Sequence, residues 1–282
     1  MKIALAGAFG KLGRDILKEL IKNNFEVIAL DIKELDLDID KSKYTFHQFD
    51  ATKPETFKGA LVGVDVLIST VGLTTSSATV TNYDIDYQGN LNLLTEAKSS
   101  NVKKFLYISV IKANLGEGIP MVDAKFKFEE ELKKSGLDYV IYRPTGYFYD
   151  IVKVFKPMVE KGKVSLLGKE NHSCNVIDTT DFASFIVETM NDTNKTYSIG
   201  GTETYTYQEI AEMCFQAKNK KPVIKRAPVF LFDILAKLPK NKKNGKWAVI
   251  KFSKFTLTQD LVGDTKYGKK SFKQYIKESL GE

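Results

Sequence analysis

The sequence predicts a doubly wound parallel α/β sheet carrying a smaller C-terminal region, and three observations predict it. Short apolar runs without alternation recur between stretches of helical periodicity, as happens where helices cover both faces of a parallel sheet. Three glycines follow the first of those runs at the point where the first helix begins. The alternation then loosens after Arg143-Pro144-Thr145. Residues 1–150 are therefore expected to form the core, and 151–282 a smaller region, interleaved with the core and ending in a basic segment.

Each element has its own signal. Lys2–Ala6 is a short apolar run ended by Gly7, and Phe25–Leu30 is a second buried-strand candidate. Between them Leu12, Ile16, Leu17, Leu20 and Ile21 fall at helical spacing over Lys11–Asn23, closed by Asn23-Asn24. Strand, turn, helix and strand within about 30 residues make a βαβ unit with a right-handed crossover. The alternation continues with strands at Tyr44–Phe49, Asp65–Thr70, Lys104–Ser109 and Tyr139–Tyr142. Helices are expected at Lys53–Leu61, Tyr83–Ser99 and around Val122–Ser135. Beyond Thr145, Val164–Gly168, Asn175–Ile177 and Thr196–Ile199 read as short strands. Phe182–Met190, Tyr207–Gln216 and Phe230–Leu238 read as helices, the last followed by the loop Pro239-Lys240-Asn241-Lys242-Lys243.

Composition excludes several classes. Of 282 residues 43% are hydrophobic, enough for a sizeable core, so disorder and small disulfide scaffolds are ruled out. No apolar run reaches the ~18 residues of a membrane span, and the N-terminus turns glycine-rich before a signal-peptide core forms. A cytoplasmic protein is the expectation. Cys174 and Cys214 are the only cysteines, and with two histidines they suggest no metal site. The net charge of +7 is uneven: residues 218–254 hold twelve basic residues and one acid, Asp233. A solvated lysine-rich surface is the plainer reading of this stretch, with nucleic-acid or membrane contact a minority one.

Gly7, Gly10 and Gly13 have the spacing G-x-x-G-x-x-G. The first permits a sharp turn, the second lets backbone approach a diphosphate, and the third lets helix pack on strand. N–H groups at the helix start then face the anion, where the helix dipole favours negative charge. In this context the motif points to a Rossmann-type nicotinamide dinucleotide site. Asp31 ends the second strand, eighteen residues after Gly13. A carboxylate there accepts from both ribose hydroxyls of NAD and repels the 2′-phosphate of NADP. Lys33 would soften that repulsion, so NAD is favoured and NADP stays open. A turn-forming aspartate is the plainer alternative.

Further segments carry a family resemblance. They are Asp50-Ala51, Thr70-Val71-Gly72, Asp86 to Leu94, Lys103 to Ser109, Leu137 to Phe148, Val176 to Ala183 and Gly200 to Glu203. Together with the glycine loop, they resemble an extended or atypical short-chain dehydrogenase/reductase, of the NmrA-like and sugar-epimerase-like branch, over roughly residues 1–215. The resemblance implies that Gly7, Phe9, Gly10 and Leu12 line the pyrophosphate. Asp31 and Ile32 would meet the adenosine ribose and base edge, Asp50 and Ala51 the adenine, and Val71 and Gly72 the nicotinamide ribose. Ser109 corresponds to the family's catalytic serine and Lys125 to the lysine of Y-x-x-x-K, as a ribose ligand.

The tyrosine of that motif is missing. Its position holds Met121, and no tyrosine occurs between Tyr107 and Tyr139. In the family's mechanism a phenol exchanges a proton with the substrate oxygen; a thioether has no proton to give. Asp86 stands where an asparagine is usual. Tyr147, Tyr149 and His172 are substitute proton donors to be tested against packing or surface roles, and His47 reads as structural.

The expected function is an NAD(P)-dependent oxidoreductase acting on a small carbonyl or quinone-type substrate without the customary tyrosine. The alternative is a non-catalytic NAD(P)(H)-binding redox sensor or an assembly or regulatory protein with a protein partner.

Overall fold

In a computed structural model that describes residues 1–73, 79–239 and 245–281, the first half of the chain builds the expected parallel sheet. Its strands are β1 (Lys2–Ala6), β2 (Glu26–Asp31), β3 (Tyr44–Gln48), β4 (Val66–Ser69), β5 (Lys104–Ile108) and β6 (Asp138–Pro144). Two later strands, β9 (Lys195–Gly200) and β12 (Thr265–Lys266), complete it in the order β12-β9-β6-β5-β4-β1-β2-β3, with every pairing parallel. The order reverses between β1 and β4, so the strand ends there open a crevice of the kind that holds ligands in doubly wound sheets.

The unalternating strands follow from burial on both faces. Ile3 and Leu5 point with Val27, Ala29, Ile68, Leu106 and Val140 into one core layer, beneath helices α1 (Lys11–Lys22) and α5 (Thr179–Thr189). Ala4 and Ala6 point with Leu67, Phe105, Tyr107 and Ile141 into the other. Helices α2 (Asn90–Ser99) and α3 (Pro120–Lys134) cover that side. Each such run therefore needs apolar side chains at successive positions.

A third apolar cluster organises the rest. It joins α4 (Phe148–Glu160), α6 (Tyr207–Ala217) and α9 (Phe272–Leu280) around Phe155, Phe215, Phe272 and Ile276. Beside it β7 (Val164–Leu167) pairs with β11 (Ile224–Ala227), and β8 (Ser173–Cys174) pairs with β10 (Tyr205–Thr206). Helices α7 (Phe230–Lys237) and α8 (Lys246–Leu257) pack on each other. Among the described residues no helix is long and apolar enough to cross a membrane.

Three expected elements differ. Lys53–Leu61 is one 3-10 turn, Pro54–Thr56, followed by tight turns, because Gly59 and Gly63 take φ of +78° and +75°. Phe57 and Leu61 are nonetheless buried, which accounts for their helix-like spacing. Tyr83–Ser99 is not one α-helix: Tyr83–Gly89 is a π-helical segment leading into α2. The Asn175–Ile177 strand is reduced to a single parallel bridge between Ile177 and Tyr147. Asn175 instead donates Nδ2 to Gly201 O at 3.1 Å and accepts Gly263 N–H at 2.9 Å, which ties loops together. Of the expected loop Pro239-Lys240-Asn241-Lys242-Lys243, residues 240–243 lie outside the described residues.

Asp178 caps α5, accepting the Thr180 N–H at 2.9 Å and the Lys270 ammonium at 3.0 Å. Burial alone would raise its pKa, but these bonds outweigh burial and hold it below its ordinary 3.8. A depressed carboxylate stabilises the fold above its unfolded pKa and loses that contribution as pH falls through the folded one. Asp178→Ala should lower unfolding free energy by about 1–2 kcal/mol at neutral pH. In urea titrations the gap between the variant and the unaltered chain should narrow below pH ~4; a gap that ignores pH contradicts the assignment.

Candidate functional site

The site begins where β1 turns into α1. Gly7 takes φ +79°, and a Cβ there would lie 2.4 Å from Thr70 Oγ1. The Thr70 hydroxyl spans Ala6 O and Gly7 O at 3.0 and 3.1 Å, stitching the ends of β1 and β4 together. Gly13 is tighter still, with space for a Cβ only 2.0 Å from Gly7 O. Helix and loop thus meet backbone to backbone.

Gly10 caps α1 in an extended conformation, with no side-chain cap and no acid in the first turn. The positive end of the helix is therefore not neutralised by its own side chains. Arg14, in that same turn, has a buried Nε with no hydrogen-bond partner among the described residues. This cradle fits a diphosphate. The Leu12 side chain packs in the core, as does the Phe9 ring against Tyr44 and Phe46. Any phosphate contact from these two positions would be through backbone alone.

Asp31 closes β2 beside this turn. Its Oδ2 accepts the Phe9 N–H and its Oδ1 the Ile32 N–H, both at 2.8 Å. The carboxylate is aimed by backbone at the lip of the glycine loop, with Ile32 64% exposed next to it. Asp50 and Ala51 follow β3, and Phe49 N–H bonds to Asp31 O at 2.8 Å, so the two strand ends are in register. Asp50 accepts from Thr52, while Asn92 donates to Ala51 O at 2.8 Å. Asp31, Ile32, Asp50 and Ala51 consequently lie along one end of the crevice.

At the other end Gly72 covers an ion pair. Space for a Cβ on Gly72 lies 2.8 Å from Asp86 Oδ1 and 3.0 Å from Lys125 Nζ. Lys125 sits 3.1 Å from Asp86 Oδ1, donates to Ile108 O at 3.1 Å and stands 5.3 Å above the Tyr107 ring. Asp86 is fully buried, and its Oδ2 accepts Asn82 Nδ2 at 3.0 Å and Leu73 N–H at 3.2 Å. Asn90 donates to Asp86 O at 2.9 Å and to Val71 O at 3.3 Å and accepts the Ser69 hydroxyl at 2.6 Å. The π-helical segment thus presents Asp86 to Lys125, with Asn90 bracing it.

Ser109 is elsewhere engaged. Its hydroxyl donates to Glu129, a fully buried carboxylate that also takes Arg143 Nε at 3.0 Å. Met121, Lys125, Glu129 and Lys133 recur every fourth residue of α3, which sets them along one stripe. Sequence reasoning missed Glu129, Arg143, Asn82 and Asn90. The i+4 spacing of Glu129 from Lys125 was the available signal.

The substitute donors separate. Tyr147 and Tyr149 stack with ring centroids 5.6 Å apart, and Lys11 of the glycine loop lies 3.5 Å over Tyr149. Burial raises both phenol pKa values, which weakens them as acids. His172 immediately precedes β8, with its Nε2 3.3 Å from a Glu170 oxygen. His47 bonds Thr56 O at 3.0 Å on β3, a structural role. Cys174 and Cys214 are free, buried thiols pushed up to about 12 by burial. No metal-binding cluster occurs among the described residues.

Residues 7–193 match the model of a family described as NAD(P)H-binding, and the chain belongs to that family. Its cofactor is a nicotinamide dinucleotide. The chain is 28% identical over 242 residues to the photosystem II assembly factor Ycf39 of Guillardia theta, covering 82% of this chain and 74% of that protein. It is 27% identical over 269 residues to the chloroplastic divinyl chlorophyllide a 8-vinyl-reductase of Arabidopsis thaliana, covering 83% and 62%. An NADPH-dependent quinone oxidoreductase from Escherichia coli, solved with NADPH, superposes with a TM-score of 0.72 at 18% identity, covering 98% of this chain and 99% of that one.

Removing one partner of a buried pair leaves an uncompensated charge. Lys125→Met should therefore destabilise the fold by about 3–5 kcal/mol in urea unfolding. Adding Asp86→Asn to it should restore most of that loss. A single variant as stable as the unaltered chain would show that the pair is not held away from water.

Proposed function

We propose that this member of the NAD(P)H-binding family is a reductase of quinone-type acceptors and that it takes NADH in preference to NADPH. The observation that carries the first part is the Lys125–Asp86 pair beneath Gly72, with Met121 one helical turn before it in place of a phenol. Reducing a simple carbonyl leaves a localised alkoxide, which needs a positioned acid. Reducing a quinone leaves an anion spread over a ring, which water can protonate without a dedicated donor. Bound dinucleotide would supply the hydride.

The chain's own residues would do the rest. The turn at Gly7 and Gly10 would cradle the diphosphate, and Asp31 would hold the adenosine ribose. Lys125 would bind the nicotinamide ribose and place positive charge near the developing anion. Asp86 would keep that ammonium in position, while Glu129 and Arg143 would fix Ser109 at the end of β5. Met121 would form an apolar wall. The quinone oxidoreductase similarity supports this reading without fixing the acceptor.

The preference for NADH rests on Asp31, whose two oxygens are held by the Phe9 and Ile32 amides and cannot swing away without losing both bonds. A 2′-phosphate would meet this carboxylate directly.

A second reading has its own observation. The charges of Lys125, Asp86, Glu129 and Arg143 are already paired, and the Ser109 hydroxyl is already donated. Such a site suits a dinucleotide-binding assembly or regulatory protein, the role in the name of the Ycf39 relative.

Anaerobic single-turnover mixing of the NADH-loaded chain with a panel of benzoquinones and naphthoquinones separates the two. The reductase reading expects loss of NADH absorbance with at least one acceptor; a flat trace with all of them favours the binding protein. For cofactor choice, calorimetry should find NADH binding tighter than NADPH. Asp31→Ala should weaken NADH by about tenfold, the worth of one to two hydrogen bonds, and narrow or reverse the preference. Equal weakening of both nucleotides would contradict the assigned role.

A further inference from the structure

Helix α7 departs from what a surface helix should look like. Phe230, Leu231, Ile234 and Leu235, with Leu238 just past its end, are 58%, 39%, 52%, 41% and 43% exposed. Their spacing sets them along one side of the helix. Val229, Phe232 and Ala236 turn inward, Val229 toward Gly168. The outward side is therefore the more apolar one, a contiguous patch rather than scattered exposure, and such patches mark interaction sites.

The surroundings identify the chemistry of the partner. Residues 218–254 hold twelve basic residues, eleven of them lysine, against a single acid, Asp233. Both Asp233 oxygens are taken by Lys254, at 2.7 and 2.8 Å, so the one negative charge is neutralised in place. Lys237 lies on α7 itself, and Lys246, Lys251 and Lys254 lie on α8, which packs against it. An apolar strip beside such lysines matches a lipid surface with anionic headgroups, where apolar side chains enter the acyl boundary and lysines reach the phosphates. A protein interface is a poorer match, since interface cores are depleted in lysine and enriched in arginine. Nucleic acid offers nothing for five apolar side chains. The helix is eight residues long, about 12 Å, so it lies on the surface and does not span it.

We propose that the outward side of α7 docks this protein reversibly on an anionic lipid bilayer. Two weak signals act together there: insertion of Phe230, Leu231, Ile234 and Leu235, and attraction of the lysines that α7 and α8 carry. Either alone gives marginal binding, so the association should depend on both apolar contact and ionic strength.

Co-sedimentation of the full chain with phosphatidylcholine vesicles, with and without phosphatidylglycerol, tests this. The chain should pellet with the anionic vesicles, stay in solution with the neutral ones, and be released by high salt. Phe230→Ser with Ile234→Ser should reduce the bound fraction about tenfold. Both positions face outward, so the melting temperature of the double variant should be unchanged, which keeps a folding defect distinct from a docking defect. A chain that ignores anionic vesicles, or a double variant that binds as well as the unaltered chain, overturns the proposal. So does a concentration-dependent dimer in sedimentation velocity that the same variant abolishes, because the patch would then be covered by a second copy. None of these outcomes depends on nucleotide, so they leave the cofactor and acceptor readings untouched.

Discussion

The rest of the structure depends on the contact between the carbonyl of Gly7 and the backbone of Gly13. No side chain fits between them: a Cβ on Gly13 would come 2.0 Å from that oxygen. This contact sets the direction of α1 out of β1. Thr70 locks the end of β4 to the same turn, and Asp31 locks the end of β2 to the Phe9 amide. Three strand ends are thereby drawn around one helix start, whose dipole no acid of its own first turn offsets. The crevice is a consequence of strand order, and its anion-attracting character is a consequence of this turn.

Beyond the turn, the site is built from two buried ion pairs. Lys125–Asp86 joins α3 to the π-helical segment, and Glu129–Arg143 joins α3 to β6. Buried charges are weak evidence for stability, since desolvation offsets much of their attraction. Their value here is geometric. They hold Lys125 under Gly72 and hold Ser109 by its hydroxyl, and they do so from one stripe of α3. On the proposed reading, the absent phenol and the paired charges suit a reaction that needs little help with protons.

Much of this was legible in the sequence, for identifiable reasons. Unalternating strands such as Ile3-Ala4-Leu5-Ala6 announce burial on two faces, and glycines at fixed spacing announce a backbone contact. Asp31 was read from its distance to those glycines, and Lys125 from the family resemblance. The short turn at Pro54 was hidden because Phe57 and Leu61 are buried at the spacing a helix would also use. The π-helical segment depends on Asn90 reaching back to Asp86 O, a side-chain bond that periodicity does not encode. Glu129 is one of several charged residues of α3, and only the fold brings Arg143 of β6 against it. The C-terminal helices α4 and α9 pack against segments distant in sequence, so their local pattern was a weak guide. Phe9 and Leu12 were expected at the pyrophosphate, and their side chains lie in the core.

On the proposed reading, amides at the start of α1 receive the dinucleotide's diphosphate. A crystal structure of the chain grown with NADH tests it most directly. Diphosphate oxygens should lie against the Gly10–Gly13 backbone, with the adenosine ribose at Asp31 and the nicotinamide ribose at Lys125. A nucleotide seated elsewhere, or density for α1 with its N-terminus pointing away from the phosphates, would contradict it.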